Sequence, residues 1–306
     1  MNNTDLILHH YDESPFTQKT LRMLGLKGLK WYSVVTPMIM PKPDLLILTG
    51  GYRGTPVLQI GADVYVDNYC IAQELEKRFP EPSFFPNSNS GMQQALIKWS
   101  DAFFRAGLHM VIALQSQNWP EQFLADRKAL FSDLDFDKVS KDIDHAMTQF
   151  RVHASLINEQ LSDGRKFLLG DPPSLADIHA FSVPWFTRAA MPEVNALLAD
   201  FTFLLDWEAN VAALGDGGRT LIEAAEAHKM AKVSTTITKN TIGDVESQTL
   251  KLDQQITIEP DDAQRGGVSG RLHAASAQQI SIRHENDIVG EVVVHFPRLG
   301  YRVIAD

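Results

Sequence analysis

Ser14 stands between a short apolar run, Leu6-Ile7-Leu8, and a helical pattern, in the stretch YDESPFTQK spanning Tyr11 to Lys19. A Ser followed by a Pro reads as a helix start, with Ser as N-cap and Pro at the first helical position. A hydroxyl at a helix N-terminus behind a strand is also well placed to hold an anion or favour a thiolate. Tyr11 offers a second hydroxyl three residues earlier. Asp67-Asn68 opens a later helix, and each is equally a cap by type. Lys42 and Arg53 lie in a connection rich in Pro and Gly, where solvated loop charge is the ordinary reading. His9-His10 lacks metal-ligand spacing, and no metal site is read anywhere in the chain. Cys70 is the single cysteine, so there is neither an intrachain disulfide nor a Cys-based zinc site.

The elements that must position these residues alternate over the first eighty residues. Asp5 to His10 reads as a strand, Ser14 to about Leu24 as a helix, and Trp31 to Thr36 as a second strand. A long connection follows, with one helical turn at 44–48. Pro56 to Ile60 and Asp63 to Val66 form a hairpin across Gly61, and Asp67 to Arg78 closes the unit as a helix. The order is thus β-α-β, then β-β-α, a small mixed sheet. Pro80 to Gly91 reads as a linker.

Beyond the linker the pattern is helical. Met92–Leu114, Val139–Leu161, Ser174–Ala190 and Glu193–Leu214 are expected helices, with the two longest packed antiparallel in a bundle. One more helix is expected to run to about Met230. From Val233 onward alternation takes over, in QQITIEP, QQISIRH and EVVVHF, which is a strand signature. The expected organisation is therefore 1–80, a thioredoxin-like domain; 90–230, an all-helical bundle domain; and 233–306, a small all-β appendix. Pro297–Tyr301 reads as a turn.

The 306 residues carry a net charge of −10, which argues against non-specific nucleic-acid binding. Residues 231–306 hold eight Lys and Arg against ten Asp and Glu, so the appendix is no basic module either. No apolar run approaches the ~18 residues of a membrane-spanning helix, and no signal peptide is read. A cytoplasmic protein is expected.

Four features taken together resemble the glutathione transferases: SPFTQKTLR, GTPVLQIG, VDNYCIAQELEKRF and FLLGDPPSLADIHAF. The resemblance covers roughly residues 5–230 and leaves the β appendix outside it. It implies a thioredoxin-like glutathione-binding domain, a helical second domain, no bound cofactor, glutathione as substrate, a small hydrophobic electrophile, and a homodimer.

Residue by residue, the resemblance implies a cis bond at Thr55-Pro56, with the Val57 backbone pairing with the cysteinyl part of glutathione. Asp67-Asn68 falls where relatives commonly carry Glu-Ser for the γ-glutamyl end. Ser14 would donate to the glutathione thiolate, with Tyr11 as the alternative. Arg53, and Lys42 with it, would meet the glycyl carboxylate. Cys70 does not fall at the family's catalytic cysteine position. Ser174–Asp177 matches a helix-nucleating capping box. Trp99, Phe103, Phe104 and Trp119 either line the apolar half of the cleft or belong to the helical core. The implied activity is conjugation of glutathione to an electrophile; the rival reading is a non-catalytic binding or assembly member of the same fold.

Overall fold

The structure is a computed structural model describing residues 1–243, 249–261 and 267–305. The first unit runs β1 (Ile7–His10), α1 (Pro15–Leu26), β2 (Lys30–Val35), α2 (Pro43–Thr49), β3 (Val57–Ile60), β4 (Asp63–Val66) and α3 (Asn68–Arg78). β1 pairs in parallel with β2 and antiparallel with β3, and β3 forms a hairpin with β4. These are the expected elements, because apolar alternation and helix caps are local signals. Three of the four strands, β1, β3 and β4, are buried along their whole length, as helices covering both faces require.

The helical part comprises α4 (Ser90–Gln115), α5 (Glu121–Leu130), α6 (Phe136–Lys141), α7 (Ile143–Gln160), α8 (Leu175–Ala190), α9 (Val194–Leu197) and α10 (Thr202–Ala212). The single helix expected over Val139–Leu161 is broken at Asp142, which leaves helical geometry at φ −115° and ψ 34°. The helix expected over Glu193–Leu214 is likewise two pieces. Phe103, Phe150, Phe181 and Trp207 fill the bundle core. Asp177 ties it together: it accepts from the Ser174 hydroxyl and backbone N–H, the Leu168 N–H and the Trp207 indole.

After the bundle come β5 (Gly218–Leu221), α11 (Ala224–Val233), β6 (Gln255–Pro260), β7 (Val268–Ala275), β8 (Gln279–Asn286), β9 (Gly290–Pro297) and β10 (Tyr301–Ala305). β5 adds to β2 in parallel, an element the Gly-rich GDGG stretch hid. The C-terminal strands are not a detached appendix. They extend the first sheet, in the order β10-β6-β7-β8-β9-β4-β3-β1-β2-β5. β9 docks in parallel on β4, pairing Asp63 to Tyr65 with Val293 to His295. Ile256, Ile282, Val294 and Phe296 share one apolar core with Leu48, Val64 and Val66. An edge strand that would invite unwanted pairing is thereby covered from within the chain. Pro297–Tyr301 is a turn as expected, but Tyr301 already belongs to β10.

The junction is polar as well as apolar. Asp63 accepts from His295 Nε2 at 2.8 Å, Thr236 Oγ1 at 2.6 Å, Thr238 Oγ1 at 2.9 Å and the Ile237 N–H at 2.9 Å. The His295 ring stacks on Tyr65 with centroids 4.4 Å apart. Four donors on one buried carboxylate lock the segment after α11, β9 and β4 into one register.

Candidate active site

α1 starts where the sequence says it should. Ser14 is extended at φ −78° and ψ 123°, Pro15 takes the first helical position, and Ser14 Oγ accepts from the Thr17 N–H at 3.3 Å. That contact is long for a cap. The Ser14 hydroxyl proton has no acceptor among the described residues, and the side chain lines a cavity of about 260 Å³. Tyr11 lines the same cavity. Both candidate residues therefore line one space.

The opposite wall comes from the bundle. Phe104, Leu108 and Ile112 of α4, Phe123 of α5, and Phe186 of α8 present apolar surface, with Trp119 from the α4–α5 connection. Phe16 packs edge-on against Phe104 at 5.3 Å, so the head of α1 touches the bundle directly. Of the four aromatics named from the sequence, Phe104 and Trp119 line the cavity. Phe103 is fully buried in the bundle core, and Trp99 stacks on it. Helical periodicity alone does not separate these two faces.

Cations gather at one end. Lys42 is only 4% exposed and lines the cavity, its Nζ 5.2 Å from the centre of the Tyr11 ring. Burial lowers its pKa to about 8, helped by the nearby Arg127 and Arg53 and opposed by Asp126. Arg53 donates to Asp126 Oδ1 at 2.7 Å, and Arg127 donates to Asp126 Oδ2 and to the Met38 carbonyl, each at 2.8 Å. The Met40 N–H also donates to Asp126, at 3.0 Å. The reading of Lys42 and Arg53 as solvated loop charges is corrected: α5 folds over the connection and buries them. Asp126 and Arg127 went unseen in the sequence, since an acid next to a base on a surface helix is too common a pair to signal a site.

The Thr55–Pro56 bond is cis, as the resemblance implies. Val57, however, does not face the cavity. It is fully buried, flanked by His9 on one side and Val66 on the other, so its backbone lies inside the ladder. Thr55 and Gly54, on the other side of the proline, line the cavity instead. The backbone nearest the cavity is thus that of Gly54 and Thr55.

At the head of α3, Asp67 adopts φ 71° and caps the helix, Oδ1 accepting from the Tyr69 N–H at 2.8 Å. Asn68 is nearly buried, and its Oδ1 accepts from the Thr20 hydroxyl at 2.7 Å. Asn68 is thus turned into the fold, because Thr20 of α1 offers it a partner there. The Asp67 Oδ2 accepts from the Tyr301 hydroxyl at 3.3 Å.

The remaining candidates are structural. Cys70 is fully buried, and burial pushes its thiol well above the usual range. His9 bonds Gln59 and His10 bonds Ser33, and burial lowers both imidazoles to about 4. Among the described residues, no group of three or more His, Cys, Asp or Glu side chains is arranged to hold a metal ion, and no helix is long and apolar enough to cross a membrane.

A thioredoxin-like sheet, a helical bundle and a hydroxyl-bearing cleft between them define a two-domain architecture. Comparison with known proteins narrows it. Residues 8–83 match the glutathione S-transferase N-terminal domain, and residues 140–210 match the glutathione S-transferase C-terminal domain. A GST-like protein from Pseudomonas syringae is 33% identical; the match covers 99% of this chain and 100% of that one at a TM-score of 0.82. The chain belongs to the glutathione S-transferase family.

Two further solved structures share the fold over a shorter span. A glutathione S-transferase from Rhodospirillum rubrum is 22% identical over 68% of this chain and 88% of its own, with TM-score 0.52. One from Ceriporiopsis subvermispora, solved in complex with glutathione, is 18% identical over 69% of this chain and 97% of its own, with TM-score 0.56. No curated protein matches the chain.

Proposed function

We propose that this protein binds glutathione between the Thr55 backbone and the head of α3, and conjugates its thiolate to a small apolar electrophile. The observation that carries the reading is Ser14: a hydroxyl at the N-terminus of α1, its proton uncommitted, on the floor of a cavity whose far wall is aromatic. A thiol brought to a helix N-terminus is acidified by the N–H groups, and a hydroxyl donor favours the thiolate further. The Lys42 and Arg127 charges add a field of the right sign. The thiolate then attacks the electrophile held against Phe104 and Phe186, displacing the leaving group or adding to the electrophilic carbon. Tyr11 is the alternative donor. A cytoplasmic homodimer using no bound cofactor goes with this reading.

Asn68 favours a second reading, a member that retains the scaffold without the reaction, because its side chain is nearly buried with its oxygen accepting from the Thr20 hydroxyl. Calorimetry with glutathione, followed by conjugation assays with an aryl halide, separates the two. Binding with turnover supports the enzyme; binding without turnover in either assay supports the second reading. No heat at millimolar glutathione removes the enzyme reading.

A further inference from the structure

Lys42 is a buried amine without a partner. It lines the cavity together with two other cations, Arg53 and Arg127. Both arginines donate to Asp126. The Lys42 amine has neither a hydrogen bond nor an ion pair among the described residues, although the side chain is only 4% exposed. Glu13, the acid on the same lining, forms no ion pair with it. Its neighbour is instead an aromatic face, the Tyr11 ring, whose centre lies 5.2 Å from Nζ.

The chain fixes this side chain from several directions. Lys42 stands between Pro41 and Pro43 at the head of α2, and the two rings restrict the backbone around it. α5 covers the connection, held there by Asp126 on the Met40 N–H and by Arg127 on the Met38 carbonyl. The amine therefore opens on the cavity rather than on bulk water.

Such an amine is a nucleophile whenever it is neutral. Burial, with Arg127 and Arg53 beside it and Asp126 opposing them, lowers its pKa to about 8. At pH 7 roughly a tenth of it is neutral, against roughly one part in two thousand for an ordinary lysine. Desolvation beside other cations is what activates a lysine towards a carbonyl carbon. The rest of the wall is aromatic, with Phe104, Phe123 and Phe186 around the same space. At about 260 Å³ the cavity has room for a substituted ring; a protein cavity of about 150 Å³ already takes benzene.

We infer that Lys42 is a covalent docking site for an aromatic aldehyde in the ligand-free protein. Nζ gives its lone pair to the carbonyl carbon, and the carbon–oxygen π bond opens to a carbinolamine. Loss of water then leaves a carbon–nitrogen double bond. Both amine hydrogens depart with the carbonyl oxygen, so no oxidant, reductant or further reactant enters. Water reverses the capture by the same route. A glutathione carboxylate at this amine would hold it protonated, so aldehyde and glutathione exclude one another. The chemistry needs only the amine and the cavity, and stands apart from the glutathione reading.

The test is absorbance titration of the full-length protein, without glutathione, by 4-(dimethylamino)benzaldehyde, whose protonated imine absorbs to the red of the free aldehyde. The expected result is a saturable new band at one equivalent, lost in Lys42→Arg, with circular dichroism checking the variant's fold. Trapping with cyanoborohydride and peptide mapping should then place the label on Lys42, roughly tenfold or more above the exposed Lys77 and Lys98. Benzaldehyde should displace the probe at lower concentration than propanal does. No saturable band, a band that survives Lys42→Arg, or label spread evenly over the lysines each overturns the inference. Equal displacement by the two aldehydes overturns its aromatic part. Should Lys42→Arg fold poorly, peptide mapping of the trapped unaltered protein decides alone.

Discussion

His295 on β9 holds Asp63 on β4 at 2.8 Å, and with the β4–β9 pairing the last quarter of the chain becomes part of the thioredoxin-like sheet. Burial alone would raise the Asp63 pKa; the bond and charge of His295, with Thr236 and the Ile237 N–H, overcome it and bring the carboxyl down to about 2. A carboxyl lowered on folding adds stability above its unfolded value, and that stability drains away as pH falls from about 4 to about 2. Below both values the group is protonated in either state and adds nothing. The contribution is about 2 kcal/mol. Asp63→Asn should unfold at lower urea at neutral pH and lose that part of the acid dependence. Identical acid slopes in the two proteins would assign the effect elsewhere.

Lys42 carries the opposite kind of shift. Its amine is held at about 8 mainly by burial, so between that value and 10.5 the folded protein binds fewer protons than the unfolded chain. Stability from this group therefore rises with pH across that window. Anion binding does the reverse, since the neutral amine above pH 8 no longer attracts a carboxylate. Affinity for S-methylglutathione, whose sulfur does not titrate, should drop roughly tenfold as pH rises through 8. Lys42→Arg, charged throughout, should be flatter over the same range. Equal profiles would remove Lys42 from the glycyl carboxylate.

Gly54 is set by its neighbour rather than by its own backbone. A Cβ there would meet the Tyr52 hydroxyl at 2.5 Å and the ring at 2.6 Å. Gly54→Ala should swing Tyr52 away, at about 1–3 kcal/mol of overpacking, and weaken glutathione by shifting the cavity lining at Gly54 and Thr55. Thermal unfolding and calorimetry on the same sample check both effects. Unchanged affinity alongside lowered stability would mean that the backbone at Gly54 and Thr55 does not meet the ligand.

The first unit was legible because its signals are local. Ser14-Pro15 marks α1, Asp63 to Val66 alternates, and Thr55-Pro56 with the capping box at Ser174–Asp177 fixes the family order. The burial of Lys42 was not legible, because it depends on α5 folding back over the connection and on Asp126 neutralising the arginines beside it. That Gly54 and Thr55 rather than Val57 line the cavity was not legible either: one residue beyond the proline the chain has already entered the ladder. Docking of β9 on β4 was beyond reach as well. A strand pattern says that a segment pairs, and nothing in Val292, Val294 and Phe296 says with which edge.

Aromatic residues on the bundle side should govern the second substrate alone. Phe186→Ala removes a ring from the cavity wall and should raise KM for an aryl electrophile several-fold, leaving glutathione affinity unchanged; transfer of a partly buried aromatic ring is worth about 1–3 kcal/mol. Steady-state kinetics with each substrate varied in turn checks it. A matching loss of glutathione affinity would put the ring on the wrong substrate.

If Ser14 turns bound glutathione into its thiolate, ultraviolet titration of the thiolate in the binary complex will show it. The expected apparent thiol pKa is well below the ~8.5 of a free thiol in the unaltered protein, and returns towards that value in Ser14→Ala, with glutathione still bound. The same depressed pKa in both proteins would contradict it and pass the role to Tyr11.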